Sequence, residues 1–244
     1  MIFDMHMHIE NRSSWIVTAE DCIRAMDEAS VDKAAVMTLG DYPGLNPDAI
    51  ELVTEAMSRY PDRLYGLARL HPGHLETSQA TLDRAVTHLG FVGLKLHPVS
   101  THQHPAGEAT IALVRQAGEL GVPTLFHCGD EHMTTPLAIA ETAAACPGSV
   151  IMLGHMGGYF HVDEALQVAE RYPNVVLETS AMPYPEKIIE AVRRVGAERV
   201  VFGSDGPVAS PIVEKQKVVI AALGADDAAL VLGGNAARML RLGS

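Results

Sequence analysis

Cysteine is scarce in the sequence, and its positions exclude a cysteine-based scaffold. The chain of 244 residues has three cysteines, Cys22, Cys128 and Cys146. They are far apart, and no two have the Cys-x-x-Cys spacing of thiolate zinc sites or redox motifs. We therefore predict three reduced thiols and neither a disulfide framework nor a zinc-thiolate centre. Neighbours on a strand point to opposite faces, so we expect Cys128 to point away from any site that His127 enters.

Basic residues are also few, and long apolar runs are missing. Lys and Arg number 18 against 30 Asp and Glu, so the formal net charge is −12 at pH 7. Such a chain repels nucleic acid, which is bound largely through neutralisation of phosphates by Lys and Arg. The sequence has neither an apolar run of membrane-spanning length nor a basic, cleavable leader. We expect a cytoplasmic protein with a small-molecule substrate, no nucleic-acid partner and no membrane contact, and leave open a homo-oligomer.

Apolar runs of strand length alternate with longer segments of helical periodicity along the whole chain. Apolar residues make up 48% and aromatic residues 5% of the sequence, a composition typical of helices packed around a β-core. No linker, low-complexity tract or charge block divides the chain. The candidate strands lie at 2–8, 33–39, 64–70, 91–97, 123–129, 149–154, 175–179 and 199–204.

The spacing of these runs predicts one (β/α)8 barrel over residues 1–244. They recur at roughly 25 to 31 residues, the length of one strand-loop-helix-loop unit, and their apolar character predicts burial on both faces of a parallel sheet. An open doubly wound sheet would have a Gly-rich phosphate loop after its first strand, where this chain has Glu10-Asn11-Arg12-Ser13. We therefore predict the α/β class and a single-domain TIM barrel, closed by a terminal helix over 233–240.

Helix boundaries are marked by capping residues, prolines and glycines. Thr18 stands three residues before Asp21, Asn46-Pro47 precedes a helical segment, and Pro136 opens an Ala-rich run to Ala145. Helix stop signals are Pro61, Gly90, Gly121 and Pro173.

The polar residues at the ends of the strands are of the kinds that bind metals. In a (β/α)8 barrel the active site forms at the C-terminal ends of the strands. Strand one ends in Asp4-Met5-His6-Met7-His8, where alternation predicts Asp4, His6 and His8 on one face, with Asp4 deepest. A His-x-His pair alone is a weak signal, but candidates at several strand ends strengthen it. The other ends are Lys95-Leu96-His97-Pro98, Phe126-His127-Cys128-Gly129, Gly154-His155-Met156-Gly157-Gly158 and Gly203-Ser204-Asp205-Gly206-Pro207.

These motifs, with the closing Gly234-Asn235-Ala236-Ala237-Arg238, resemble the amidohydrolase superfamily over nearly the whole chain. The resemblance is to the amidohydrolase-related group that includes aminocarboxymuconate semialdehyde decarboxylase and 2-pyrone-4,6-dicarboxylate lactonase. It implies one divalent metal ion, zinc in most members, with Mn²⁺ as an alternative, and a catalytic or supporting role for His155. A set of nitrogen and oxygen ligands with room for water also suits catalytic Zn²⁺. The matching ligand positions are His6, His8, His127 and Asp205.

Lys95 and His97 share a face at the end of strand four and are candidates for substrate binding. In two-metal members of the superfamily a carboxylated lysine at this strand bridges the ions, so Lys95 is also a candidate bridge. A third interpretation is an ion pair between Lys95 and Asp4 or Asp205. His97 either contacts substrate or caps the end of its strand.

Two reactions remain open at this stage. In the leading interpretation, metal-activated water attacks the carbonyl of a small amide, lactone or ester-like substrate, Asp205 takes the water proton, and His155 polarises the carbonyl. The alternative is metal-dependent, non-oxidative decarboxylation of a small unsaturated or aromatic acid. A TatD-type deoxyribonuclease would have a glutamate near Lys95, and a metal-binding module without activity is a non-enzymatic interpretation. Glu178 and Ser180, which end strand seven, are weaker pocket candidates.

Overall fold

The computed structural model describes residues 1–12 and 15–242, and a sheet of mostly parallel strands forms its centre. The strands are β1 (Phe3–Arg12), β2 (Trp15–Val17), β3 (Lys33–Thr38), β4 (Leu64–Arg69), β5 (Gly93–Leu96), β6 (Thr124–His127), β7 (Ile151–Gly154), β8 (Val175–Glu178) and β9 (Val200–Val201). Their order in the sheet is β2-β1-β3-β4-β5-β6-β7-β8-β9. Only β1 and β2 pair in antiparallel fashion within the described residues.

The sheet closes on itself beside β1. The amide of Met5 donates to the carbonyl of Phe202 at 3.0 Å, and the amide of His8 donates to the carbonyl of Gly206 at 2.7 Å. The parallel strands therefore form a barrel, and the predicted α/β TIM-barrel fold is confirmed. Each apolar run predicted as a strand overlaps one parallel strand of the barrel.

Helices follow the strands and cover the outside of the barrel. Their predicted starts agree with the structure at Thr18, whose hydroxyl accepts from the amide of Asp21 at 3.1 Å, and at Pro136, which begins α6. The predicted helix over 233–240 is shorter, because a π-helical turn over Leu230–Gly234 precedes it. The helices are α1 (Ala19–Ala29), α2 (Ala49–Arg59), α3 (Leu75–His88), α4 (Pro98–Thr101), α5 (Glu108–Glu119), α6 (Pro136–Ala145), α7 (Val162–Arg171), α8 (Pro185–Val195), α9 (Pro211–Ile220), α10 (Ala225–Ala229) and α11 (Asn235–Met239).

No helix in the described part of the chain combines the length and apolar character that crossing a bilayer requires.

The segment after the first strand differs from the prediction. Glu10, Asn11 and Arg12 are not a loop but continue β1 and pair with β2, whereas Ser13 lies outside the described residues. Glu10 is buried, and its carboxylate accepts from the amide of Gly40 at 2.9 Å and from Asn46 Nδ2 at 2.7 Å. These partners are distant in sequence, so an apolar pattern does not predict the extension.

The buried apolar residues form two cores, an inner core inside the barrel and an outer core between the barrel and its helices. The register of β1 against β3 shifts between Asp4 and Met7, and Met7 and Ile9 pack in the outer core. The predicted uninterrupted alternation from Asp4 to His8 is therefore wrong, because a bulge interrupts it. His6 lies within the shifted segment and His8 follows it, and both reach the mouth of the barrel. The inner core includes Phe3, Met5, Ala35, Met37, Leu67, Leu125, Met152, Val176 and Val201.

Thr18→Ala should lower the free energy of unfolding by about 1 kcal/mol, because it removes a capping box at the start of α1. In that box Asp21 Oδ2 also accepts from the amide of Thr18 at 2.9 Å. Thr87→Ala is the matched control, since this exposed hydroxyl bonds only locally, to the carbonyl of Asp83 and to His88, and its loss should change stability by less than about 0.5 kcal/mol. Urea unfolding measures both. Equal losses in the two variants would contradict the capping role.

Candidate metal centre and active site

His6, His8 and Asp205 come together at the mouth of the barrel. One ligand atom from each lies within 4.8 Å of the other two. His8 Nε2 lies 3.0 Å from Asp205 Oδ1, and His6 Nε2 lies 3.4 Å from the same oxygen. Two imidazole nitrogens and one carboxylate oxygen are suitable ligands for zinc or manganese. The arrangement therefore fits a divalent cation at three of the four predicted ligand positions.

Glu178 fixes the orientation of His6. It is fully buried at the end of β8, and its Oε2 accepts from His6 Nδ1 at 3.0 Å. This bond keeps the proton on Nδ1 and leaves the Nε2 lone pair for a metal, as carboxylate partners of metal-binding histidines do. Ser180 supports the carboxylate, because its amide donates to Glu178 Oε1 at 2.6 Å and its hydroxyl to Oε2 at 2.9 Å.

Burial sets the charge state of the group. It lowers the pKa of His6 and of His8, so both rings are neutral and able to bind a cation. Burial raises the pKa of Asp205, but the hydrogen bond from His8 and the adjacent imidazoles bring it below its usual range. Burial raises the pKa of Asp4 to about 7. Asp4 Oδ1 accepts from the amides of His6 and Ser204 at 3.0 and 2.9 Å. It thereby connects β1 with the segment that follows β9.

The backbone at Asp205 is in the left-handed region, with φ of +58°. His155, at the end of β7, has φ of +65°. Non-glycine residues are uncommon in this region, and they concentrate where function requires a particular side-chain direction. Both residues lie at strand ends that the sequence singled out, so the strain supports their assignment to the site.

His127 lies at the same mouth but outside the three-residue group. Its Nδ1 is 3.1 Å from His155 Nε2, and its Nε2 is 3.1 Å from Glu131 Oε2. Both ring nitrogens therefore already have protein partners. The structure does not bring His127 into the His6, His8 and Asp205 cluster, so its role as a fourth ligand stays a prediction.

His155 lies behind the group, with its ring 5.1 Å from that of His6. Its Nδ1 is 2.9 Å from Ser180 Oγ, which places it in the hydrogen-bonded network around Glu178. Burial, and then the charge of His127, lower the pKa of His155 to about 4. It is thus a neutral imidazole close to the metal position without belonging to the ligand cluster of His6, His8 and Asp205.

Lys95 is buried beside His6, with 1% of the residue exposed. Its Nζ donates to His6 Nε2 at 2.9 Å. Burial, and then the charge of Arg69, lower the pKa of Lys95 to about 7. Of the carboxylates in the described ranges, none forms an ion pair with Nζ, so the interpretation of Lys95 as a partner of Asp4 or Asp205 is wrong.

His97 makes a capping contact and borders the cavity, and its contact with substrate stays a prediction. Its Nδ1 accepts from the amide of Ser100 at 3.3 Å and so caps α4. Its ring stacks on that of His127, with 4.0 Å between the centroids, and it lines the central cavity.

A cavity of about 390 Å³ opens beside the three-residue group. Lys95, His97, His127 and Asp205 line it. Arg69, which sequence analysis did not single out, lines it as well, and so does Trp15 on the unpredicted hairpin. A lone charged residue near the end of an otherwise apolar strand was the available signal for Arg69, as it was for Glu178.

Gly203→Ala should disturb the site without removing any ligand. A Cβ at Gly203 would lie 2.2 Å from Glu178 Oε1 and 3.0 Å from His6 Cβ. We expect a loss of about 1–3 kcal/mol in stability and weaker metal binding, because Glu178 must move away from His6. Urea unfolding and metal titration measure the two effects. Gly148→Ala is the control, since nothing lies within 4 Å of its added Cβ, and equal metal affinity in both variants would refute the constraint.

Comparison with known families gives one match. A family model described as Amidohydrolase matches residues 3–242 of the chain. No curated protein sequence is significantly similar to it.

Several solved structures share the fold. A 5-carboxyvanillate decarboxylase from Sphingomonas paucimobilis has a TM-score of 0.76 at 16% identity, covering 99% of both chains. A dihydroxybenzoic acid decarboxylase from Polaromonas, with bound manganese and the inhibitor 2-nitroresorcinol, has a TM-score of 0.75 at 17% identity, covering 99% of this chain and 97% of that one. A TIM-barrel protein from Bordetella bronchiseptica has a TM-score of 0.82 at 17% identity, covering 98% of each. At these identities the likeness establishes a common fold.

Proposed function

This chain belongs to the amidohydrolase family, and on that premise we propose that it is a metal-dependent decarboxylase of a small aromatic or unsaturated carboxylic acid. The observation that carries the proposal is the position of Lys95, a buried amine 2.9 Å from His6 Nε2 with no carboxylate partner among the described residues. An amine placed there suits an anionic reacting group, whereas a neutral amide or lactone does not need it.

The structural neighbours support the same reaction. Two of those described above are decarboxylases of aromatic acids, and one of them holds manganese. The ligand motifs in the sequence suit both reactions, so from the sequence alone hydrolysis is the leading interpretation and decarboxylation is the alternative.

The residues His6, His8 and Asp205 would hold the cation, Mn²⁺ or Zn²⁺, with His127 proposed as the fourth ligand. When bound, the cation supplies positive charge that neutralises and orients the reacting carboxylate. Lys95 adds a donor on the same side of the cavity, and His97 contacts the body of the substrate. Glu178 keeps His6 in its metal-binding tautomer.

In the proposed step the bond between the substrate carbon and its carboxylate breaks. The electron pair stays on that carbon, CO₂ leaves, and a proton that Asp205 relays from solvent replaces it. Asp205 suits this transfer because its side chain is 21% exposed, lines the cavity and is held by His8. His155 helps to orient His127, whose Nδ1 lies 3.1 Å from His155 Nε2.

Hydrolysis remains a second candidate, because the matching family model is described as Amidohydrolase and Asp205 is held where it could take a proton from water. Isotope labelling separates the two reactions. We expect the metal-loaded protein, incubated with a panel of small aromatic acids in D₂O, to release CO₂ and leave one deuterium on the product carbon. Incubation with the corresponding lactones and amides in ¹⁸O-labelled water would instead establish hydrolysis if the label entered a product carboxylate and no CO₂ were released.

A further inference from the structure

Arg69 is buried at the end of β4, with 3% of the residue exposed, and three groups hold it in place. Its Nε donates to Asp41 Oδ1 at 2.6 Å, and its terminal nitrogens donate to the carbonyl of Thr38 and to Ser100 Oγ, each at 3.2 Å. Ser100 in turn donates to Asp41 Oδ2 at 2.6 Å. Both oxygens of Asp41 are therefore engaged, and the guanidinium is fixed in one orientation.

The guanidinium keeps donors for a ligand. It has five N–H groups, and the contacts above use three, one on each nitrogen. The remaining two belong to the two terminal nitrogens, and Arg69 borders the cavity of about 390 Å³. A planar pair of N–H donors matches a carboxylate, which binds arginine through two parallel hydrogen bonds.

The charges around the cavity also favour the binding of an anion. Asp41 compensates Arg69, and His8 holds Asp205, but Lys95 has no carboxylate within ion-pair distance in the described part of the chain. Lys95 is thus the cationic group of this cavity that lacks a charged partner there, and an anionic substrate group would supply one.

We propose that Arg69, positioned by Asp41 and Ser100, binds a carboxylate of the substrate that is separate from the group reacting beside His6, His8 and Asp205. The inference rests on the proposed function for the location of the reacting group. It holds for either reaction, because Arg69 makes no contact with the three-residue cluster. The enzyme is then specific for small dicarboxylates over monocarboxylates.

Calorimetric titration of the metal-loaded protein with two matched ligands tests the proposal. Isophthalate has two carboxylates, and 3-carbamoylbenzoate has the same shape with one carboxylate replaced by an amide. We expect wild-type protein to bind isophthalate about 10- to 100-fold more tightly than the amide. Arg69→Met should reduce this ratio to about one by weakening isophthalate alone, since the lost interaction is charge-assisted.

Arg69→Met leaves Asp41 buried without its partner, so the double variant Arg69→Met, Asp41→Asn provides a second, charge-balanced test. Arg115→Met, on the exposed face of α5, is the control and should keep the wild-type ratio. A ratio near one in wild type, a wild-type ratio in both Arg69 variants, or no binding of either ligand to wild type would overturn the proposal. Metal content and CO₂ release, measured on the same samples, report separately on the proposed function.

Discussion

Asp205→Asn should lower turnover by about 10³-fold or more while leaving the chain folded. The amide cannot relay a proton to the substrate carbon, and it is a weaker metal ligand than the carboxylate. The hydrogen bond between His8 Nε2 and Asp205 Oδ1, at 3.0 Å, can be retained by the amide oxygen, so a large structural change is not expected.

Steady-state kinetics at saturating metal, with circular dichroism as a check on folding, measures this effect. Asp48→Asn is the control, because Asp48 is exposed and its side chain makes no capping hydrogen bond to α2. A turnover of Asp205→Asn within tenfold of wild type would remove Asp205 from the catalytic role.

His6→Ala should weaken metal binding by at least about 100-fold. His6 supplies a ligand atom to the cluster with His8 and Asp205, and its Nδ1 also engages the buried carboxylate of Glu178. The substitution therefore removes one metal ligand and also removes the imidazole that donates a hydrogen bond to Glu178. His127→Ala should have a smaller effect, because the His127 nitrogens lie outside that cluster.

Competition with a chromophoric chelator measures both affinities, and His88→Ala, an exposed histidine at the end of α3, serves as the control. A greater loss of metal in His127→Ala than in His6→Ala would reverse the assignment of the primary ligands.

The sequence predicted the barrel and the core of the metal cluster because both follow from local patterns. Apolar runs alternating with helical segments predict a parallel barrel, and that architecture brings all C-terminal strand ends to one mouth. His6, His8 and Asp205 could therefore be grouped although Asp205 is almost at the other end of the chain. The bulge in β1 includes His6, but His6 and His8 still come together with Asp205 at the mouth of the barrel.

Glu178 and Arg69 were not predicted as central residues, because their roles depend on tertiary hydrogen bonds. Nothing in the sequence near Glu178 indicates that its partner is His6, and nothing near Arg69 indicates Asp41. The β1–β2 hairpin depends in the same way on the bonds of Glu10 to Gly40 and Asn46. The choice between hydrolysis and decarboxylation also depends on the charges around the cavity, which strand-end motifs do not specify.

The most direct test of the account is the metal content of the wild-type protein. The chain should be dialysed against Mn²⁺ or Zn²⁺, freed of unbound ion and measured by elemental analysis. The account predicts about one ion per chain, held by His6, His8 and Asp205 and removed by a strong chelator. A protein that takes up neither metal would contradict the central claim.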